Sequence, residues 1–193
     1  MPVVVKSKTA EEHITEDEEP RKFNESKISQ LAPAFSKTGT ITAANSSRIN
    51  DGGCAIILMS QEQLKKLGVK PLAKIVSYAD AEIEPIDFSI APHYSAKKAL
   101  AKAGLGIEAI DFVELNEAFS AVSLANMKLL DISHQKINIF GGAVALGHPI
   151  GVSGARIVQS LLSAFRLKGG KYGLAAICNG GGGSTAMIVE NLL

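Results

Sequence analysis

From Gly53 to the C-terminus, short β-branched or apolar runs alternate with runs whose apolar residues recur at the helical period, and this alternation restricts the fold more than any other feature. It predicts strands over 53 to 60, 72 to 83, 111 to 115, 137 to 140, 173 to 178 and 185 to 190. Helices are expected over 61 to 67, 92 to 103, 117 to 130 and 152 to 167. The order implies an α/β domain, a layered mixed sheet with helices on both faces. Helix 117 to 130 should pack Ala118, Val122, Ala125 and Leu129 on the sheet, and helix 152 to 167 should pack Ala155, Val158, Leu162 and Phe165. Upstream, residues 3 to 5 are β-branched. The stretch 11 to 19, with six carboxylates, reads as a solvated loop. A brief helical pattern (Ile28, Leu31, Phe35) follows between 26 and 35, limited by Pro33.

Composition narrows the function classes. At 193 residues and 46% hydrophobic content the chain can bury a core without disulfides or metals. Twenty basic residues against 19 acidic ones leave a net charge of +1 and no basic stripe, which argues against nucleic-acid binding. Two distant cysteines, Cys54 and Cys178, fit a reducing compartment. The longest apolar run, 54 to 59, is too short to span a bilayer, so no membrane partner is expected. The N-terminus shows neither a signal-peptide core nor an arginine-rich transit segment, and Asn191-Leu192-Leu193 is not a peroxisomal address.

Chemistry concentrates in two glycine-rich stretches, GGAVALGHPIGVSG at 141 to 154 and CNGGGG at 178 to 183. Each sets a titratable group among backbone amides that no side chain shields. His148, between Gly147 and Pro149, either exchanges protons near neutral pH or caps the following helix. Cys178 ends an apolar strand and enters four glycines, whose amides could stabilise a thiolate or an oxyanion. Asn116 is either a helix N-cap or a donor that orients a water. Cys54, inside a predicted strand, reads as a small buried hydrophobe. His13, His93 and His134 are explained by solvent exposure or capping. A phosphate cradle is the weakest reading, since neither GxGxxG nor GxxxxGK[ST] occurs, and no Cys/His spacing suggests a transition-metal site.

Three blocks, NEAF at 116 to 119, GGAVALGHPIGVSGAR at 141 to 156 and CNGGGGS at 178 to 184, occur in the order of the C-terminal signature blocks of the thiolases and resemble them. The similarity covers essentially the whole chain, including AANSSRINDGGCAIILMS, and AKIVSYADAEIEPIDFSIAP most resembles the mitochondrial acetoacetyl-CoA thiolase subfamily of acetyl-CoA C-acetyltransferases.

The resemblance implies Claisen condensation or thiolysis of acetoacetyl-CoA, with coenzyme A or acetyl-CoA as substrate. His148 would activate the nucleophile and, with Asn116 holding a water, form the first oxyanion hole. Cys178 would be the acid/base and the Gly180 amide would serve the second hole. Ser47 matches a pantetheine contact, and Phe35 and Phe119 match residues of that tunnel. Potassium would be held by main-chain carbonyls at Ala43, Ala44, Ser46 and Val144. Residues 1 to 42 would be a remnant of the CoA-binding loop domain and 43 to 193 the thiolase C-terminal domain. Thiolases carry their acyl-accepting cysteine in an N-terminal half that this chain is expected to lack, so an N-terminal thiolase half or a homo-oligomer is the expected partner. Arg48 stands where the family commonly has a small or uncharged residue, beside the pantetheine contact. The alternative is a non-catalytic truncated paralogue that binds CoA or a partner subunit. Localisation would be mitochondrial by subfamily, although the chain shows no transit segment, and otherwise cytoplasmic.

Overall fold

The computed structural model describes residues 2–193. Its body is a four-stranded mixed sheet in the order β3 (Ala73–Glu82), β6 (Gly183–Asn191), β5 (Tyr172–Cys178), β4 (Phe112–Leu115). Only β4 and β5 run parallel. Alternation along each strand sorts side chains to two faces. Val113, Leu115, Leu174, Ala176, Ala186 and Ile188 pack against α3 (Ala91–Ala103) and α4 (Ser120–Leu130). On the opposite face, Phe112, Ala175, Ile177, Met187 and Val189 pack against α6 (Ile150–Lys168). Gly173 faces α6 so closely that a Cβ there would lie 2.9 Å from Phe165 Cζ and 3.0 Å from Leu161 Cδ2. The α/β layering expected from the sequence is therefore present.

The departures have physical causes. Segment 53 to 60 has no ladder partner and no regular secondary structure, with Ile57 86% and Leu58 70% exposed. An apolar β-branched pattern records fitness for a ladder, and a strand also needs a neighbouring edge. Segment 137 to 140 shrinks to a single parallel bridge, Ile137 to Val113. Asn138 there turns to φ 45°, and its Oδ1 accepts the Leu115 N–H in place of a further ladder bond. Helix α4 starts three residues later than expected, with Phe119 at its N-cap position, so Asn116 caps nothing. Its buried face is Val122, Ser123, Asn126 and Leu130, while Leu129 is exposed. Asn126 fixes that rotation by donating to the Val122 and Ser89 carbonyls. In α6 the most buried residues are Ser153, Ile157, Leu161, Ala164 and Phe165, with Val158 and Leu162 at the edge of the same cluster.

The acidic stretch is partly ordered. Glu11–Ile14 forms β2, antiparallel to β1 (Val3–Lys6), and a 3-10 turn follows at Glu19–Lys22. The expected helix near 26 to 35 is the single turn α1 (Glu25–Ile28). Helix α2 (Gln61–Leu67) starts at Ser60, whose hydroxyl accepts the Gln63 N–H, and ends at Gly68 in the left-handed region. The remaining helix, α5 (Ala143–Leu146), is one turn. No helix of the described residues is long and apolar enough to cross a membrane.

Candidate active site

Adjacent parallel strands end side by side, and β4 and β5 place Leu115 opposite Ala176, so the chain leaves the sheet at Asn116 and Cys178 together. Asn116 is 1% exposed and Cys178 7%. Asn116 Oδ1 accepts the Cys178 N–H at 3.3 Å, and its Nδ2 donates toward Sγ at 3.5 Å. Burial pushes the Cys178 thiol above its ordinary range, and the Asn116 side chain opposes that rise. Cys178 is therefore a thiol at neutral pH.

Past Cys178 the glycine loop is closed by its own hydrogen bonds. The Asn179 and Gly182 amides donate to the Gly183 and Asn179 carbonyls. Those of Gly181 and Gly183 donate to Asn179 Oδ1. The Gly180 amide has no acceptor among the described residues, and a Cβ at this position would meet nothing within 4 Å. It is an open donor two residues from the thiol.

His148 lies between α5 and α6. Its N–H donates to the Arg48 carbonyl at 2.7 Å, and its Nδ1 is 2.6 Å from Ser153 Oγ in the first turn of α6. Ser153 Oγ also reaches the Pro149 carbonyl at 3.2 Å. If that carbonyl takes the hydroxyl proton, Nδ1–H donates to Oγ and Nε2 is left as the base. Burial first, and the Arg156 charge second, push the imidazole below its ordinary range.

One extended segment joins these loops. Ser46 bridges Phe119, the Ser47 N–H donates to the Ala118 carbonyl, and the Ser120 N–H donates to the Asn45 carbonyl. Since the Arg48 carbonyl holds His148, residues 45 to 48 tie the histidine loop to the Asn116 turn. Ser47 is half-buried on that strap. Phe119 meets Phe35 edge-on at 5.8 Å and Phe88 at 6.2 Å, and Phe35 is 75% exposed. The Arg48 guanidinium turns away to Glu19.

Ser46 lies on that strap, and Ala43 and Ala44 form the turn just before it. Val144, on α5, donates its N–H to Glu117 Oε2 at 3.1 Å. None of the carbonyls of these four residues accepts a hydrogen bond within the described chain, which suits oxygen ligation of a hard cation. No cluster of three His, Cys, Asp or Glu side chains stands together among the described residues. Cys54 is half-buried and lines a cavity of about 370 Å³ with Asn50, Pro149, Arg156 and Gln159. The sequence reading missed Glu117, Asn138 and Ser153. Ser153 alone left a signal, a hydroxyl in the first helical turn after the histidine.

A family model described as "Thiolase, C-terminal domain" matches residues 69–191. The chain belongs to the thiolase family. A second model, "Thiolase, N-terminal domain", matches residues 1–62 of this thiolase chain. A human protein named "Acetyl-CoA acetyltransferase, mitochondrial" is 56% identical over 180 residues, covering 93% of this chain and 42% of the relative. The crystal structure of the Bacillus anthracis acetyl-CoA acetyltransferase superposes with TM-score 0.93 at 41% identity, covering 100% of this chain and 49% of that one. The Acat5 thiolase from Ascaris suum, solved in complex with coenzyme A, gives 0.86 at 45% identity, covering 100% of this chain and 49% of that one. The thiolase chain thus spans about half the length of the relatives it matches.

Proposed function

We propose that this chain supplies the proton-transfer and oxyanion side of an acetyl-CoA acetyltransferase site, acting in Claisen condensation or thiolysis of acetoacetyl-CoA. The observation that carries the reading is the Asn116–Cys178 contact at the ends of two parallel strands, strapped through residues 45 to 48 to His148. The acyl-accepting thiol comes from outside these 193 residues, on an N-terminal thiolase half.

In thiolysis, neutral His148 takes the proton of that thiol, and the thiolate attacks the ketone carbon of acetoacetyl-CoA. The oxyanion formed is met by donors preorganised in a half-buried site. When the carbon–carbon bond breaks, the Cys178 thiol gives its proton to the departing acetyl-CoA carbanion. The Cys178 thiolate then takes a proton from CoA, whose sulfur attacks the acetyl-enzyme and displaces the first thiolate, which recovers its proton from His148. The Gly180 amide, the one uncommitted donor of its loop, serves the acyl-enzyme oxyanion. His148 and Asn116 with its water serve the thioester oxygen. Ser47 contacts pantetheine, and Phe35 and Phe119 wall its tunnel. Potassium on the carbonyls of Ala43, Ala44, Ser46 and Val144 would stiffen the strap against the turn. The existence of a mitochondrial relative supports a mitochondrial setting, which organelle imaging of the tagged protein tests.

The test is acetoacetyl-CoA thiolysis when the chain is mixed with a thiolase half bearing the acyl-accepting cysteine. Absence of turnover in that mixture rejects the reading. The exposed Ile57 and Leu58 favour one second reading, a non-catalytic subunit that binds CoA or a partner. Calorimetric CoA binding without turnover in the mixture would select it.

A further inference from the structure

Residues 116 to 120 form a hub in which successive positions hold different segments. Asn116 holds Cys178, Ala118 and Phe119 hold the strap, and Glu117 holds the loop that leads to His148. Glu117 has φ 49°, a left-handed conformation that is strained for a non-glycine residue and persists only where its surroundings fix it. The carboxylate is one such constraint. It accepts the Val144 N–H and lies over Gly142, where any Cβ would collide with Glu117 Oε2. Gly142 is buried, and the Asn138 Nδ2 amide shares the contact, 2.8 Å from where that Cβ would stand. Burial pushes the Glu117 carboxyl above its ordinary range, opposed by the Val144 N–H and then by the charge of Arg156 on α6, whose guanidinium nitrogens are buried without an acceptor. Arg156 sits one turn beyond Ser153, the residue that holds His148.

We propose that Glu117 is a positioning residue for the thiolase-type reaction, clamping the 141 to 148 loop onto the turn that aims Asn116 at Cys178. Without the clamp the turn relaxes out of its left-handed conformation and Asn116 loses its register on the thiol. The argument for what the clamp serves rests on the reading above, while its geometry does not.

The test uses the 193-residue chain carrying Cys54→Ala, so that Cys178 alone reports. Its alkylation by iodoacetamide is followed against pH, and exchange of the Val144 amide is followed by NMR. Glu117→Ala should raise Val144 exchange about tenfold or more and move the alkylation midpoint to higher pH, in the direction given by Asn116→Ala. Gly142→Ala, whose methyl would collide with Glu117 Oε2 and also press on the Asn138 amide, should do the same. The two together should be no worse than either alone. Glu117→Gln, which keeps an acceptor oxygen, should stay near the parent in both readouts. The proposal is overturned if Glu117→Ala leaves the alkylation profile unchanged, if the midpoint moves down, or if Val144 is exposed only together with the core amides of β5. Neither readout requires turnover, so failure of the clamp and failure of the acyl-transfer reading are separately visible.

Discussion

Glu114 sits on the face of β4 that looks toward α6, 1% exposed, with neither carboxylate oxygen hydrogen-bonded. Burial pushes its pKa up to about 8, against the opposing pull of Arg156. Between about 4.5 and about 8 the folded chain keeps a proton that the unfolded chain has released, so this residue makes stability fall as pH rises through that window. The loss is on the order of a few kcal/mol. Glu114→Gln should therefore melt increasingly above the parent from pH 5 to pH 8, and parallel melting curves across that range would contradict the assignment. His148 is shifted the other way, and its NMR titration midpoint should fall below the ordinary 6.5. At this scale the sequence showed the candidate reacting groups, because histidine and cysteine among glycines stand out by type. It hid Glu114 and Glu117, because only folding reveals that one carboxyl lacks a donor and that the other is bent into a left-handed turn around Gly142.

Among the elements, α6 carries the most weight, since it packs the second face of the sheet and holds His148 through Ser153. Leu161→Ala should cost about 2–5 kcal/mol in denaturant unfolding, the range for deleting a fully buried leucine. Gly173→Ala should cost about 1–3 kcal/mol by overpacking, because the new methyl meets Phe165 and Leu161 across the closest strand-to-helix approach. A loss smaller than a few tenths of a kcal/mol for Gly173→Ala would mean that α6 yields freely. The sheet strands and the longer helices were legible from period and length. The α4 face was not, because its rotation is set by a polar residue, Asn126, bonding to the turn at Ser89. The strand expected at 137 to 140 was lost for a similar reason, since the Asn138 side chain completes what a ladder would have supplied.

For the molecule as a whole, the segment from Cys54 to Met59 is the clearest sign of an uncovered side. It has the composition of a buried strand, yet Ile57 and Leu58 stand in solvent, a few residues past Cys54, which lines the cavity together with Gly147 and Pro149. Amide exchange over 54 to 59 should slow when a complementary thiolase half binds, and unchanged exchange in a catalytically active mixture would place that contact elsewhere. The family was readable from three short blocks, which also hold the candidate catalytic residues, and the layering from the alternation of strand and helix runs. How Asn116 meets Cys178, and how residues 45 to 48 carry that arrangement to His148, required the fold, because the contacts join segments 60 or more residues apart in the chain. The central claim is that His148 and Cys178 move the protons of acyl transfer. Its most direct test is kcat/KM for acetoacetyl-CoA thiolysis by the mixed halves, comparing the parent chain with His148→Ala and Cys178→Ala. Each variant should lose about 100-fold or more with its melting temperature retained, and parent-like kcat/KM in either would contradict the account.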